Sequence, residues 1–293
     1  MGLRDLLLMV MVGLVWGAST ALSRVVVGPW HVPPLFFAGV RFVLVMLATL
    51  PWLRPVPRPL WRLAGIGLTM GAGGFALLFL GLEHATASSA AVVAQSGVPL
   101  TTLLSIAILG ERIHWRRATG IALALAGVLM VIWRPGLHPS LGLLLVFAST
   151  AANSLGAILI KGMDGVAPLR LQAWVAASTG VPLSLASWAF ERDQWRFALA
   201  AGWGFWAALA FSVVAVSIVA HTVYYGVIGR HEANLVAPLT LLSPLATIAF
   251  GVALGGETLD ARTIAGTGLA LVGVLIVALR RTGAPVAQVQ DHA

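Results

Sequence analysis

The sequence predicts an all-α integral membrane protein of ten transmembrane helices, arranged as two inverted five-helix repeats. Three observations carry this. Of 293 residues, 59% are hydrophobic and only 10% are charged, against roughly 25% charged in a soluble domain. The apolar residues fall in runs of about twenty, the length a helix needs to cross the hydrocarbon of a bilayer. The second half of the chain echoes the first. So few polar residues cannot cover that much apolar surface, so the solvent must be lipid.

The spans follow in order at about 5–26, 33–53, 61–82, 86–109, 115–133, 139–161, 167–190, 202–228, 232–254 and 261–280. The first run, Leu6 to Val27, is too long for a cleavable signal and lacks an A-x-A-like site, so it reads as a span. The breaks carry turn chemistry or charge: Gly28-Pro29, Pro55 to Pro59, Arg134-Pro135-Gly136, Gly165, and Glu191 to Asp193. Residues 1–137 and 138–281 form the two repeats, and 282–293 is a polar, disordered cytoplasmic tail.

The net charge of +8 does not point to nucleic acid, because the basic residues sit in short gaps between apolar runs. They read as topology signals. One set of loops holds twelve Lys and Arg residues and the other five, which puts both termini in the cytoplasm. Trp30, Trp52, Trp61, Trp115, Trp133 and Trp195 fall near span ends, as an interfacial belt requires.

The repeat is direct in sequence. AVVAQSGVPLTTLLSIAILGERIHWRRATGIALALAGVLMVI from Ala91 matches VAPLTLLSPLATIAFGVALGGETLDARTIAGTGLALVGVLIVAL from Val236. Pro99 falls on Pro244 and Glu111 on Glu257, an offset of 145 to 146 residues. In spans 1 and 6, Trp16 falls on Asn153. Five spans per half is odd, so the second half enters from the opposite side. Inverted repeats let two halves exchange conformations around one site, which is a transporter device.

LVWGAST (14–20), FAGVRF (37–42), LGERIHWRRATGIALALAGV (109–128) and its copy GGETLDARTIAGTGLALVGV (255–274) resemble the drug/metabolite transporter superfamily, EamA type. The resemblance covers essentially the whole chain and is closest to the bacterial branch that exports aromatic and other amino acids. It implies a ten-helix exporter with a central cavity in a bacterial inner membrane, with the bilayer and a small molecule as partners. The functional expectation is therefore amino-acid export by alternating access. The alternatives are export of other metabolites or cationic drugs, and a membrane-embedded lipid-modifying enzyme. Monomer and homodimer both remain open.

Several residues are candidates for the substrate path. Gly/Pro-interrupted spans in matching places are the best pointer to a transporter's site, and spans 4 and 9 qualify. Gln95 and Pro99 match Thr240 and Pro244, with Ser243 alongside. Proline frees the carbonyl four residues earlier, here that of Gln95 and of Thr240, for a substrate, a hinge or a plain packing kink. Trp16 lies mid-span, away from the interface, where it stacks on substrate or packs the core. His221, Tyr224 and Tyr225 share one helical face in span 8. Arg41, well inside span 2, either clamps a carboxylate with its planar fork or bonds backbone carbonyls. Phe79, one turn from Phe75, and Trp174 line an apolar cavity or pack the core.

Other chemistry finds little support. The chain has no cysteine, and His231-Glu232-Ala233-Asn234 lacks the second histidine of a zinc motif. No phosphate-binding GxxxxGK[ST] loop is present. No metal or cofactor is expected. No Asp or Glu lies mid-span, which argues against a buried carboxylate relay for protons. No polar ring suggests a channel filter.

Overall fold

The computed structural model describes residues 2–109, 115–133, 140–160, 163, 166–228 and 236–278. The Glu111, Arg134-Pro135-Gly136, Gly165 and 231–234 motifs, the boundary at 137/138 and the tail lie outside the described residues. Within them every regular element is helical. The first half contains α1 (Leu3–Val27), α2 (Pro34–Ala48), α3 and α4. Helix α3 runs as Leu60–Ile66, Gly67–Gly73 and Gly74–His84, and α4 as Ala87–Ala94 and Gly97–Leu109. Next come α5 (Trp115–Ile132), α6 (Leu141–Ile160) and α7 (Pro168–Phe190). Helix α8 runs as Trp203–Ala210, Phe211–Ala220 and His221–Ile228. A 3₁₀ turn, Ala237–Leu241, leads into α9 (Leu242–Gly255), and α10 is Ala261–Ala278.

Seven of these, α1, α3, α4, α5, α6, α8 and α10, are long and apolar enough to cross a membrane. Helix α2 and the Leu239–Gly255 segment are apolar but shorter. Helix α7 has 23 residues, an internal Pro182 and several polar side chains. Leu68, Leu129, Leu144, Leu185, Val214 and Val272 lie exposed on helix flanks. In water such a surface would drive association; in lipid it is the contact face. Trp52, Trp61, Trp115, Trp133 and Trp195 are exposed near helix ends, where indole prefers the interface.

Two boundaries differ from the sequence expectation. Span 2 was expected to reach residue 53, but α2 ends at Ala48 and a 3₁₀ turn, Leu50–Leu53, follows. Pro51 disfavours helical backbone at Leu50, and the Thr49 hydroxyl donates to the Val45 carbonyl at 2.7 Å. Between α7 and α8, the expected loop contains a short helix, Gln194–Ala200.

The helices pair closely across the two halves. Gly127 on α5 lies against the Gly266 carbonyl of α10, and Gly120 against Gly273. A Cβ on Gly180 of α7 would lie 2.6 Å from the Val43 nitrogen of α2, and one on Gly39 would lie 2.9 Å from the Ser184 nitrogen. These register pairs run in opposite senses, so α2 and α7 are antiparallel, as are α5 and α10. Gly13 meets Leu242 and Gly17 meets Ala246, so α1 and α9 run parallel. Small residues permit this approach where lipid supplies no hydrophobic drive between helices.

We call the end where α1 begins proximal and the other end distal. At the distal end two carboxylates tie the halves together. Glu191, just after α7, accepts from the Leu35 and Phe36 amides at 2.8 Å each. Glu257, after α9, accepts from the Ala87 amide at 2.6 Å, the Ser88 amide at 2.9 Å and the Ser88 hydroxyl. Each carboxylate thus satisfies orphan donors at a helix N-terminus, where the dipole also favours negative charge. Above the middle of the bundle, Phe37, Phe79 and Phe205 are fully buried and in ring contact.

Hydrogen bonds to charged groups contribute about 1.5–3 kcal/mol. Glu191→Ala and Glu257→Ala are each expected to lower the thermal unfolding midpoint in detergent, with the double variant lower still. An unchanged midpoint for both single variants would remove the carboxylate clamps from the account of the distal end.

Candidate functional site

Helix α8 is wound as a π-helix over Phe211–Ala220. Its widened turns leave i→i+5 relationships that side chains exploit. The Ser217 hydroxyl donates to the Ser212 carbonyl at 3.1 Å, five residues back. His221 Nδ1 lies 2.7 Å from the Val216 carbonyl, also five back. A carbonyl can only accept, so Nδ1 carries the proton. π-Segments recur at functional sites, and this one holds Ser217, with His221 directly after its end.

A cavity of about 270 Å³ opens there. Its described lining is Leu169 and Gln172 of α7, Ala167 just before it, and Ser217, His221, Thr222 and Gly226 of α8. These residues occupy the proximal parts of both helices. Small-molecule pockets generally measure about 300–1,000 Å³, so this space suits a compact metabolite. The sequence led to the expectation of a central cavity lined by both halves. The described lining comes from α7 and α8, and the first half reaches it through side chains that touch this wall.

The first half contributes Trp16 and Arg41. The Trp16 ring centroid lies 5.4 Å from that of His221 and 4.9 Å from that of Tyr224, the latter edge-on. Trp16, His221 and Tyr224, named separately from sequence, thus form one aromatic cluster against the cavity wall. The Trp16 indole N–H is buried and has no acceptor among the described residues. Arg41 is 5% exposed, and its Nη2 donates to the Ser217 hydroxyl at 3.3 Å. Its guanidinium also sits 5.3 Å from the Phe42 ring centroid. A charge at such depth costs about 2.5–3.5 kcal/mol on insertion scales, so its position is unfavourable unless something compensates it.

The interrupted helices are where the sequence placed them. Helix α4 breaks at Gln95 and Ser96, whose amides donate to Val92 and Val93 carbonyls at 3.0 Å in 3₁₀ fashion. The second α segments begin at Gly97 and at Leu242, which are 242 − 97 = 145 residues apart, the repeat offset. Pro99 and Pro244 both occupy the third position of the restarted helix, where a missing N–H costs nothing. Gln95, Thr240 and Ser243 are half-buried beside these breaks. The Ser243 carbonyl accepts from the Thr247 hydroxyl at 3.0 Å, and the Gly97 carbonyl from Ser154 at 3.2 Å.

Two candidates stand elsewhere. Phe79 is 1% exposed and packs between Phe37 and Phe75 at the distal end. Trp174 Nε1 donates to the Leu53 carbonyl at 3.1 Å, and its ring packs with Leu63 and Ile66. Neither lines the cavity. The side chain of Tyr225 lies outside the described residues. Sequence reading passed over Ser217, Gln172 and Thr222. A serine in an apolar helix carries no signal by itself. Ser217 lies four residues before His221, a spacing that puts both on one helical face, but the string FSVVAVSIVA gives no sign that this face meets a cavity.

These placements can be read directly, since the chain has no cysteine. A single Thr222→Cys is expected to react with a polar maleimide, whereas Phe79→Cys stays unlabelled until the protein is denatured. Equal labelling of both would contradict the open proximal cavity and the packed distal core.

Comparison with known proteins bears on the whole chain. A "probable amino-acid metabolite efflux pump" of Salmonella typhimurium is 30% identical over 286 residues, covering 94% of this chain and 95% of its own. Its namesake of Escherichia coli matches to the same extent. An uncharacterised inner membrane transporter of Escherichia coli is 27% identical over 91% of this chain and 88% of its own. A solved crystal structure, 21% identical, superposes with a TM-score of 0.64 over 93% of this chain and 96% of that one, which bears on the fold alone. The EamA-like transporter family model matches twice, over residues 3–133 and 140–279, and the chain belongs to that family.

Proposed function

We propose that this protein is a multi-pass inner-membrane exporter of small metabolites, with amino acids bearing aromatic or other neutral side chains as its substrates. Membership of a transporter family removes the lipid-modifying enzyme from consideration. The observation that carries the substrate reading is the compact cavity, with the Trp16–His221–Tyr224 cluster behind its wall. An aromatic cluster offers an apolar or aromatic side chain both area and edge-to-face contact. The names of the 30% identical relatives point to the same class.

The mechanism we infer is alternating access between halves 1–137 and 138–281, inverted relative to one another, with ten spans and both termini cytoplasmic. The antiparallel crossings of α2 with α7 and α5 with α10 support it, since a two-fold axis in the membrane plane relates helices in that way. So does the loop charge of twelve against five. The glutamate ties and the packed phenylalanines would hold the distal end shut, and the cavity, lined by the proximal parts of α7 and α8, would be reached from the proximal end. The breaks at Gln95 and Thr240, with Pro99 and Ser243 beside them, are the gates about which α4 and α9 bend.

Counterflow of radiolabelled amino acids in proteoliposomes tests this. Preloaded vesicles are expected to accumulate aromatic or other neutral amino acids without an imposed pH gradient. Trp16→Ala, Gln95→Ala and His221→Ala are each expected to lower the rate. No counterflow of any amino acid would overturn the substrate assignment and redirect the search to other metabolites.

A further inference from the structure

The cavity wall carries an unbalanced positive charge. Arg41 is buried mid-helix in α2, and its guanidinium has one polar partner among the described residues, the neutral Ser217 hydroxyl. Its Nε is buried with no acceptor there. No carboxylate among the described residues lies within ion-pair distance of it. All ten acidic residues of the chain fall in loops or within a turn or so of span ends. A buried cation in a helical bundle is normally paired with an anion or with backbone carbonyls, and this one has neither among the described residues.

Its single partner is informative. Ser217 faces the cavity and its hydroxyl donates to the Ser212 carbonyl, so its oxygen is left as acceptor towards Arg41. Ser217 stands between the guanidinium and the space where a ligand would lie. The planar fork of arginine matches the two oxygens of a carboxylate, and one rotation of the hydroxyl would let a ligand oxygen take its place.

We propose that Arg41, screened by Ser217, is the anchor for a substrate carboxylate, and that the transported class is defined by that anion. This rests on the transport reading above and narrows it. A carboxylate on Arg41 sets the substrate's other end towards the Trp16–His221–Tyr224 cluster, so the preferred ligand is a small carboxylate with an apolar or aromatic body. Cationic drugs are disfavoured at this wall by like charge, and decarboxylated amines should be rejected for the same reason.

The test uses four related probes on the full-length protein in lipid nanodiscs: L-phenylalanine, 3-phenylpropionate, L-phenylalaninamide and phenethylamine. The readout is protection of a single Thr222→Cys from maleimide, which does not depend on transport. Phenylalanine and phenylpropionate are expected to protect, and the amide and amine not to. Loss of a buried charge partner is expected to weaken protection about tenfold or more, so Arg41→Gln abolishes the distinction between acid and amine. Arg41→Lys keeps the charge without the fork and weakens it partly. Equal protection by acid and amine, or protection unchanged in Arg41→Gln and Arg41→Lys, would overturn the anchor, as would no protection by any probe. Should Arg41→Gln fail to fold, the acid-against-amine comparison in the parent protein decides the question unaided. Protection by phenylpropionate without amino-acid counterflow would sustain the anchor while refuting the amino-acid substrate.

Discussion

In lipid, two helices gain nothing by hiding apolar surface from one another, so they stay together only where their backbones come close enough to pack. That constraint organises this bundle. The crossings of α5 with α10, α2 with α7 and α1 with α9 all run through glycines, at Gly127 and Gly273, Gly39 and Gly180, and Gly13 and Gly17. Each crossing joins one half to the other. A side chain larger than hydrogen at these points would push apart the helices that carry Trp16, Arg41 and the α7 wall. The site has its geometry because the backbones meet without side chains between them.

The two repeats share a backbone feature that their side chains use differently. Helices α3 and α8 occupy equivalent places in the repeat, and both are π-wound, over Gly67–Gly73 and Phe211–Ala220. Shifted by 145, the first segment maps onto 212–218, inside the second. The same shift places Tyr224 on Phe79, since 224 − 145 = 79. In the first half that position is sealed with phenylalanines; in the second it joins histidine and tryptophan beside an open cavity. One scaffold thus builds a dry plug at one end and a polar-walled pocket at the other.

Much of this was legible in the sequence, and the limits were physical. Composition and run length gave the helices, because lipid tolerates no other backbone arrangement for such segments. The matched Gln95/Pro99 and Thr240/Pro244 pairs located the breaks, because proline acts locally. The i, i+3 spacing put His221 and Tyr224 on one face, but that Trp16 meets them depends on how α1 packs against α8, which no local pattern encodes. The π-turns were unreadable for the same reason in α8, where no glycine marks them, although Gly71, Gly73 and Gly74 do mark α3. Glu257 read as the repeat partner of Glu111 and as a charge at a span end, with no sign of what it would bond. Its three hydrogen bonds to the start of α4 join residues 170 and 169 positions apart. Phe79 and Trp174 show the opposite failure: a lone aromatic in a membrane helix cannot declare whether it faces a cavity or a neighbour.

The guanidinium of Arg41, which has no anionic partner among the described residues, would also bear on how a carrier built on the proposed anchor cycles. With a carboxylate on Arg41 the buried charge is compensated; with the site empty it is not, and water must reach it. Moving the empty site through a sealed intermediate therefore strips that water away and meets the full desolvation cost of an ion. Moving the loaded site does not. Such a carrier returns more readily with a ligand than without one, so exchange of substrate for substrate outpaces net movement of the empty protein. No Asp or Glu lies mid-span in the sequence, where a proton could relieve the same cost. If Arg41 anchors a carboxylate as proposed, charge balance within the site falls to the substrate itself, and a single arginine in α2 would couple what the protein binds to when it can change shape.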